Sequence, residues 1–250
     1  MPKGIWTISL EVIPLNLEPF IFDCEVFVYD WLFVFKNKVT GEYTEIWNDN
    51  EAVEQFMTQE PLLAGFNNKH YDQFILKAVL SGFTPEEIKA VNDFIIVGGH
   101  EGWEYSPLRD CGIFFDQYDL MDDCQMGLSL KAIEAHLGMD IRETTVPFNI
   151  DRPLTEDEKR EVEFYCRHDV DATDRLDDLR QGYLSSKLTL GREKGLYPAK
   201  ALYMTNAKLT AAYLDAEQKP HYDEREYQYP PKLLRQYIPQ EVFDFFERLK

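Results

Sequence analysis

Cysteine is scarce in this chain and thinly scattered. Its four residues, Cys24, Cys111, Cys124 and Cys166, stand far apart with no C-x-x-C pair. That spacing implies neither a disulfide framework nor a zinc site, and it reads as reduced thiols. Long apolar runs are missing too, and "MPKGIWTISLEVIPL" has no charged region leading into a clean apolar stretch. Neither a membrane span nor a signal peptide is expected, so the chain reads as a soluble cytoplasmic protein with no membrane partner. Positive charge is short: 26 Lys and Arg against 45 Asp and Glu leave a net charge of −19. Such a balance disfavours a broad phosphate-tracking surface. It leaves room for a nucleic-acid enzyme whose positive charge is supplied by metal ions. Internal repeats and low-complexity tracts are also lacking.

What the chain does have is core-forming material, 44% hydrophobic and 14% aromatic over 250 residues. Residues 19–26, 30–37 and 42–48 read as three consecutive strands, with "VTGEY" turning between the second and third. "DNEAVEQFMTQE" reads as a short helix, "PLLAGFN" as a buried fourth strand, and "YDQFILKAVLSG" as a helix closed at Gly82. "TPEEIKAV" carries Thr84 as cap, Pro85 in the first turn and Glu87 reaching back. "CGIFFDQYDL" reads as a fifth strand and "LSLKAIEAHLG" as a helix ended by Gly138. A long helix begins at "PLTEDEKREVEFYCRHD", where Thr155 and Glu158 form a capping box. The pattern predicts an α/β fold: a mixed five-stranded sheet flanked by helices.

Within the first strand, "FIFDCEVFVYDWLFVF" places Asp23 and Glu25 on one face with Cys24 on the other. Two like charges side by side on a buried strand are costly unless a cation lies between them. Asp72 opens the helix after the fourth strand, in "NNKHYD". In "YCRHD", Tyr165 and Asp169 stand four apart, on one face of the long helix with Val162, Cys166, Ala172, Thr173 and Leu176. Four carboxylates from three separated elements therefore could converge at one edge of the sheet. Hard oxygen donors in that number suit Mg²⁺ or Mn²⁺. Other acids read as solvated: Asp119, Asp122 and Asp123 as a turn, and Asp171, Asp174, Asp177 and Asp178 as the exposed face of the long helix.

The three motifs, D-x-E at 23–25, N-x(2 or 3)-[FY]-D ending at Asp72 and Y-x(3)-D at 165–169, resemble the DEDD 3′–5′ exonuclease superfamily on its ribonuclease H-like fold. The likeness covers roughly residues 19–180, with "GLSLKAIEAHLG" similar to the family's helix before the third motif. Tyr165 matches the tyrosine subclass; the histidine subclass would need His where Phe164 stands. The nearest likeness is to the N-terminal proofreading domain of phage DNA polymerases. This resemblance implies two Mg²⁺ or Mn²⁺ ions, with Asp23, Glu25 and Asp169 holding one, Asp23 bridging to the second, and Asp72 anchoring the waters of that second ion. It implies that Tyr165 orients the attacking water and that the substrate is a single-stranded DNA 3′ end. A phage-encoded chain of this kind would work in the bacterial host cytoplasm. Asn68, with Asn67 beside it, and an aromatic after the acid pair, Tyr29 or Phe27, are expected to contact substrate. Cys24, pointing away from the metals, is expected to matter little. An RNA-trimming enzyme of the ribonuclease D type would share the carboxylates, and a non-catalytic docking module would share the fold.

Beyond about residue 190 the composition shifts toward Tyr, Pro and Lys. The expected division is an exonuclease domain over 1–188 and a helical C-terminal appendage over 189–250. After Pro230-Pro231 a helix is expected from Pro239, with Val242, Phe243, Phe246 and Leu249 on one stripe. The resemblance implies a DNA polymerase domain or subunit as its partner.

Overall fold

The computed structural model describes residues 18–109, 111–122, 124, 127–216 and 239–248. Three strands open it: β1 (Phe20–Val26), β2 (Trp31–Asn37) and β3 (Tyr43–Trp47). They form an antiparallel meander in which Asp23 lies opposite Val34 and Glu25 opposite Leu32. The helix α1 (Asn50–Met57) then crosses to β4 (Leu63–Gly65), which pairs parallel with β1. Next come α2 (Asp72–Leu80), α3 (Pro85–Ile96) and the short α4 (Ser106–Arg109), leading to β5 (Gln117–Asp119) parallel to β4. The sheet order is β3-β2-β1-β4-β5, a mixed five-stranded sheet compatible with a ribonuclease H-like fold.

Strand alternation sorts the core into two layers. Phe22, Cys24, Val26, Phe33 and Phe35 face one side, packing with Val53 and Phe56 of α1, Ile75 of α2 and Ile88 of α3. Ile21, Leu32 and Val34 face the other, where α5 (Leu130–Leu137) and α6 (Glu156–Glu193) supply Ile133, Val162, Cys166, Val170 and Leu176. Asp23 and Glu25 share this second face by parity, so they look toward α6. Local signals fixed the helix starts. Thr84 with Glu87 and Thr155 with Glu158 form reciprocal capping boxes, each satisfying amide groups that a helix start leaves unpaired.

Three expectations need correction. The fifth strand, expected over 111–120, is three residues long. Its neighbour β4 is equally short, and Gly112 takes a left-handed φ of +66°, which breaks an extended run. The Asp171-to-Asp178 face of α6 is not simply solvated. Lys36 on β2 binds Asp171 and Asp174 at 2.7 Å, and Lys38 binds Asp174 at 2.6 Å. Asp177 is fully buried and accepts from the Tyr118 hydroxyl at 2.8 Å. The boundary expected at residue 188 falls inside α6. Gly191 sits so close to α7 (Pro198–Tyr203) that a Cβ would come within 2.4 Å of Ala201 Cβ, and the buried Lys187 ammonium donates to the Leu202 carbonyl at 2.7 Å. With α8 (Asn206–Tyr213) also on α6, the first compact unit runs to Leu214.

The second unit begins at Asp215, and its described element is α9 (Gln240–Glu247), starting where the Pro239 signal predicted. Val242 and Phe245 on it are exposed; Pro230, Pro231, Leu249 and the side chains of Phe243 and Phe246 lie outside the described residues. Among the described residues, no helix is long and apolar enough to cross a membrane.

Candidate metal centre

The centre is assembled from the end of β1, the start of α2 and one face of α6. Asp23 and Glu25 project from β1 with ligand atoms that lie, together with the Cys166 sulfur of α6, within 4.8 Å of one another. Cys166 is wholly buried and its Sγ donates to Asp23 Oδ2 at 3.5 Å. Asp72, 4% exposed, opens α2. Its Oδ1 accepts from the Cys24 thiol at 3.1 Å, so Cys24, although on the opposite face of β1, does hold a site residue. Tyr165 and Asp169 stand one turn apart on the same face of α6, and each influences the titration of the other. Asp72 and Asp169 stand outside the tight triad yet act on it electrostatically.

These carboxylates are poorly compensated. Burial pushes Asp23 well above the usual carboxylate range, and the charges of Asp72, Glu25 and Asp169 add to it. Burial likewise raises Glu25, with Asp169 and Asp72 adding and Lys131 opposing. Asp72 is pushed up to about 7, chiefly by burial. Asp169 is raised by burial, opposed by Tyr165, Lys131 and His168, and its Oδ1 is buried without any hydrogen-bond partner. Burial and the neighbouring acids push the Tyr165 hydroxyl far up, so it stays protonated. An acid cluster of this kind, with an orphaned oxygen, fits a divalent cation held by hard oxygen donors. Asp23, Glu25 and Cys166 form a group that could hold a metal ion.

Beside Glu25 opens a cleft of about 520 Å³, lined by Tyr71, Asn92, Ile96, Val97, Phe148 and Asn149. Ile96 and Val97 are exposed there, as is Phe148.

No family model matches the chain, and no curated protein does.

The residues expected to touch substrate are placed differently. Asn68 is completely buried, its amide against Gln117 at 2.8 Å, so it ties the loop after β4 to β5 rather than facing the cleft. Tyr29 is partly exposed but donates its hydroxyl to Asp151 at 3.1 Å and does not line the cleft. Phe27 is core, stacked on Phe148 at 5.1 Å. Phe148 is thus the aromatic that reaches the opening from this pair.

Sequence reasoning missed several contributors. Lys131, on α5, acts on both Glu25 and Asp169 and lies 4.8 Å from the Tyr165 ring centre. Its signal was faint: a lone lysine in an amphipathic helix that reads as surface. Glu134, one turn later, is buried with neither oxygen hydrogen-bonded, 3.7 Å from His168 Nε2. Asp119, expected in a solvated turn, is buried at the end of β5 and accepts from the amides of Asn67 at 2.8 Å, Lys69 at 3.0 Å and Met121 at 2.8 Å. It thereby clamps the loop that delivers Asp72. Asp122 pairs with Lys69, and Asp123 lies outside the described residues.

Proposed function

We propose that this chain is a metal-dependent 3′–5′ exonuclease that hydrolyses single-stranded DNA ends to nucleoside 5′-monophosphates, as in proofreading during phage-type replication. The observation that carries the reading is the convergence of four mutually repelling carboxylates, Asp23, Glu25, Asp72 and Asp169, of which Glu25 and Asp72 are buried, with Tyr165 one turn from Asp169 on α6. Leaving four acids this close together is unfavourable unless the protein uses them to bind cations.

In this reading Asp23, Glu25 and Asp169 would hold one Mg²⁺ or Mn²⁺, and Asp72 with Asp23 a second. Ions held there would supply an acidified water near neutral pH and stabilisation of the charge on the leaving oxygen. The remaining work falls to side chains. Tyr165, protonated and on the same helix face as Asp169, would present a hydroxyl that orients the attacking water. Lys131 offsets part of the negative charge at Glu25 and Asp169, which supports the approach of a phosphodiester to an otherwise anionic site. The cleft beside Glu25, with Phe148 and Tyr71 on its wall, suits a terminal nucleotide whose base needs an apolar face. A polymerase domain or subunit is the partner in this reading.

The test is digestion of end-labelled single-stranded DNA and RNA by the full chain, with Mg²⁺, with Mn²⁺ and with chelator. Stepwise loss of 3′ nucleotides from DNA that stops in chelator is the expected result. Faster trimming of RNA would move the reading to the ribonuclease D type. No cleavage of either would refute it and leave the docking module.

A further inference from the structure

Of the three side chains whose ligand atoms draw together at the centre, one is not an oxygen donor. Cys166 is fully buried, follows Tyr165 on α6 and precedes Asp169 by three residues, so the turn of helix that carries the site also turns this sulfur onto β1. Its Sγ stands 3.5 Å from Asp23 Oδ2, and a Glu25 oxygen completes a group whose ligand atoms all lie within 4.8 Å of one another. A tetrahedral ion with metal–sulfur and metal–oxygen bonds of about 2.3 and 2.0 Å sets those two atoms about 3.5 Å apart. The sulfur and the Asp23 oxygen already have that separation.

We propose that Cys166 is a direct ligand of the ion held by Asp23 and Glu25, so that the centre takes a thiophilic divalent ion, Zn²⁺ or Co²⁺, in preference to Mg²⁺. The inference rests on the reading of this cluster as a metal centre and adds its selectivity. On coordination the thiol proton leaves to solvent, the metal–sulfur bond replaces the S–H···O hydrogen bond, and the released Asp23 oxygen turns to the ion. Thiolate ligands select softer ions, while Mg²⁺ keeps to oxygens, so Mg²⁺ would use the carboxylates alone. The other buried thiol does not compete for this role: Cys24 lies on the opposite face of β1 and is engaged with Asp72 at 3.1 Å.

Co²⁺ titrated into the metal-stripped full chain reads the sulfur directly. The wild type should develop a thiolate-to-cobalt charge-transfer band in the near ultraviolet. Cys24→Ser, Cys111→Ser and Cys124→Ser should retain it, and Cys166→Ser and Cys166→Ala should lose it. By calorimetry Cys166→Ser should bind Zn²⁺ more weakly by about 10-fold or more, with Mn²⁺ affinity changed by less than about 3-fold. Wild-type protein that binds Co²⁺ without the band overturns the inference, and needs no variant to fold; so does a band that survives in either Cys166 variant. Those results leave the exonuclease reading standing if Mn²⁺ still binds and supports cleavage. Failure of every divalent ion to bind the wild type overturns both.

Discussion

Removing divalent ions should make the stability of this protein fall as pH rises, with Asp72 setting most of the window. Burial holds its carboxyl at about 7 in the folded chain, against about 3.9 when unfolded. The folded state therefore keeps the proton where the unfolded state has lost it. The stability contributed by that proton is fully present below about pH 4 and is gone once pH has risen through about 7. Between pH 5.5 and 8.5 the difference works out at about 1.5 pH units of proton affinity, or about 2 kcal/mol. For a chain of this length that is roughly 4–8 °C in Tm. Asp23, Glu25 and Asp169 are raised in the same direction, so the whole slope should be at least that steep. The assay is urea and thermal unfolding followed by circular dichroism, in chelator, across that pH range. Mn²⁺ should flatten the slope, because an ion that binds the ionised carboxylates replaces the proton. Asp72→Asn should remove about 2 kcal/mol of it. Stability in chelator that stays level or rises between pH 5.5 and 8.5 would refute the reasoning, as would an unchanged slope in Asp72→Asn.

Asp169→Asn should abolish cleavage while raising the Tm of the metal-free protein by a few degrees, since it relieves repulsion on Asp23 and Glu25; near-normal cleavage would remove Asp169 from the site. Tyr165→Phe should slow single-turnover cleavage about 10²–10⁴-fold without eliminating it, because one positioned group is lost; full activity would mean that the tyrosine only packs. Asp119→Ala frees three backbone amides at the loop before Asp72, which should destabilise the fold by about 1–3 kcal/mol and weaken Mn²⁺ binding. Calorimetry and unfolding on the same samples check it, and a loss of stability with unchanged Mn²⁺ affinity would separate Asp119 from the site.

Features written in local patterns were legible. The face of β1 that carries Asp23 and Glu25 follows from period-two alternation, and Tyr165 and Asp169 share a face because they are four apart on a helix. Both helix starts at Thr84 and Thr155 were read from the cap and the glutamate three residues later. What escaped depends on partners distant in sequence. Asp177 looks like any surface acid of a long helix until Tyr118 of β5 and Lys38, in the turn after β2, are brought against it. Asn68 looked like a substrate contact because its motif invited that role, and its burial depends on Gln117, 49 residues away. The end of the first unit depends on Gly191 admitting Ala201, a packing relation that composition does not express.

The same contrast explains why one group of acids reads as a site and the others as structure. Several buried or half-buried carboxylates away from the centre are answered by named donors, whereas Glu134, beside the centre on α5, has neither oxygen hydrogen-bonded. Asp30 accepts from Asn48 and from the Leu154 amide, each at 2.7 Å. Asp119 has three amides, and Asp174 has two lysines. At the centre the pattern reverses: two thiols, one hydroxyl and one lysine stand against Asp23, Glu25, Asp72 and Asp169, and an Asp169 oxygen has nothing. A fold able to pair Asp174 twice over had lysines to spend on structure, yet it left four acids short of cations at one end of β1. Stability does not account for that choice, because neutral side chains of similar size would pack there at lower cost. Binding of an external cation does account for it, since the mutual repulsion of the four carboxylates is what makes them attract an ion.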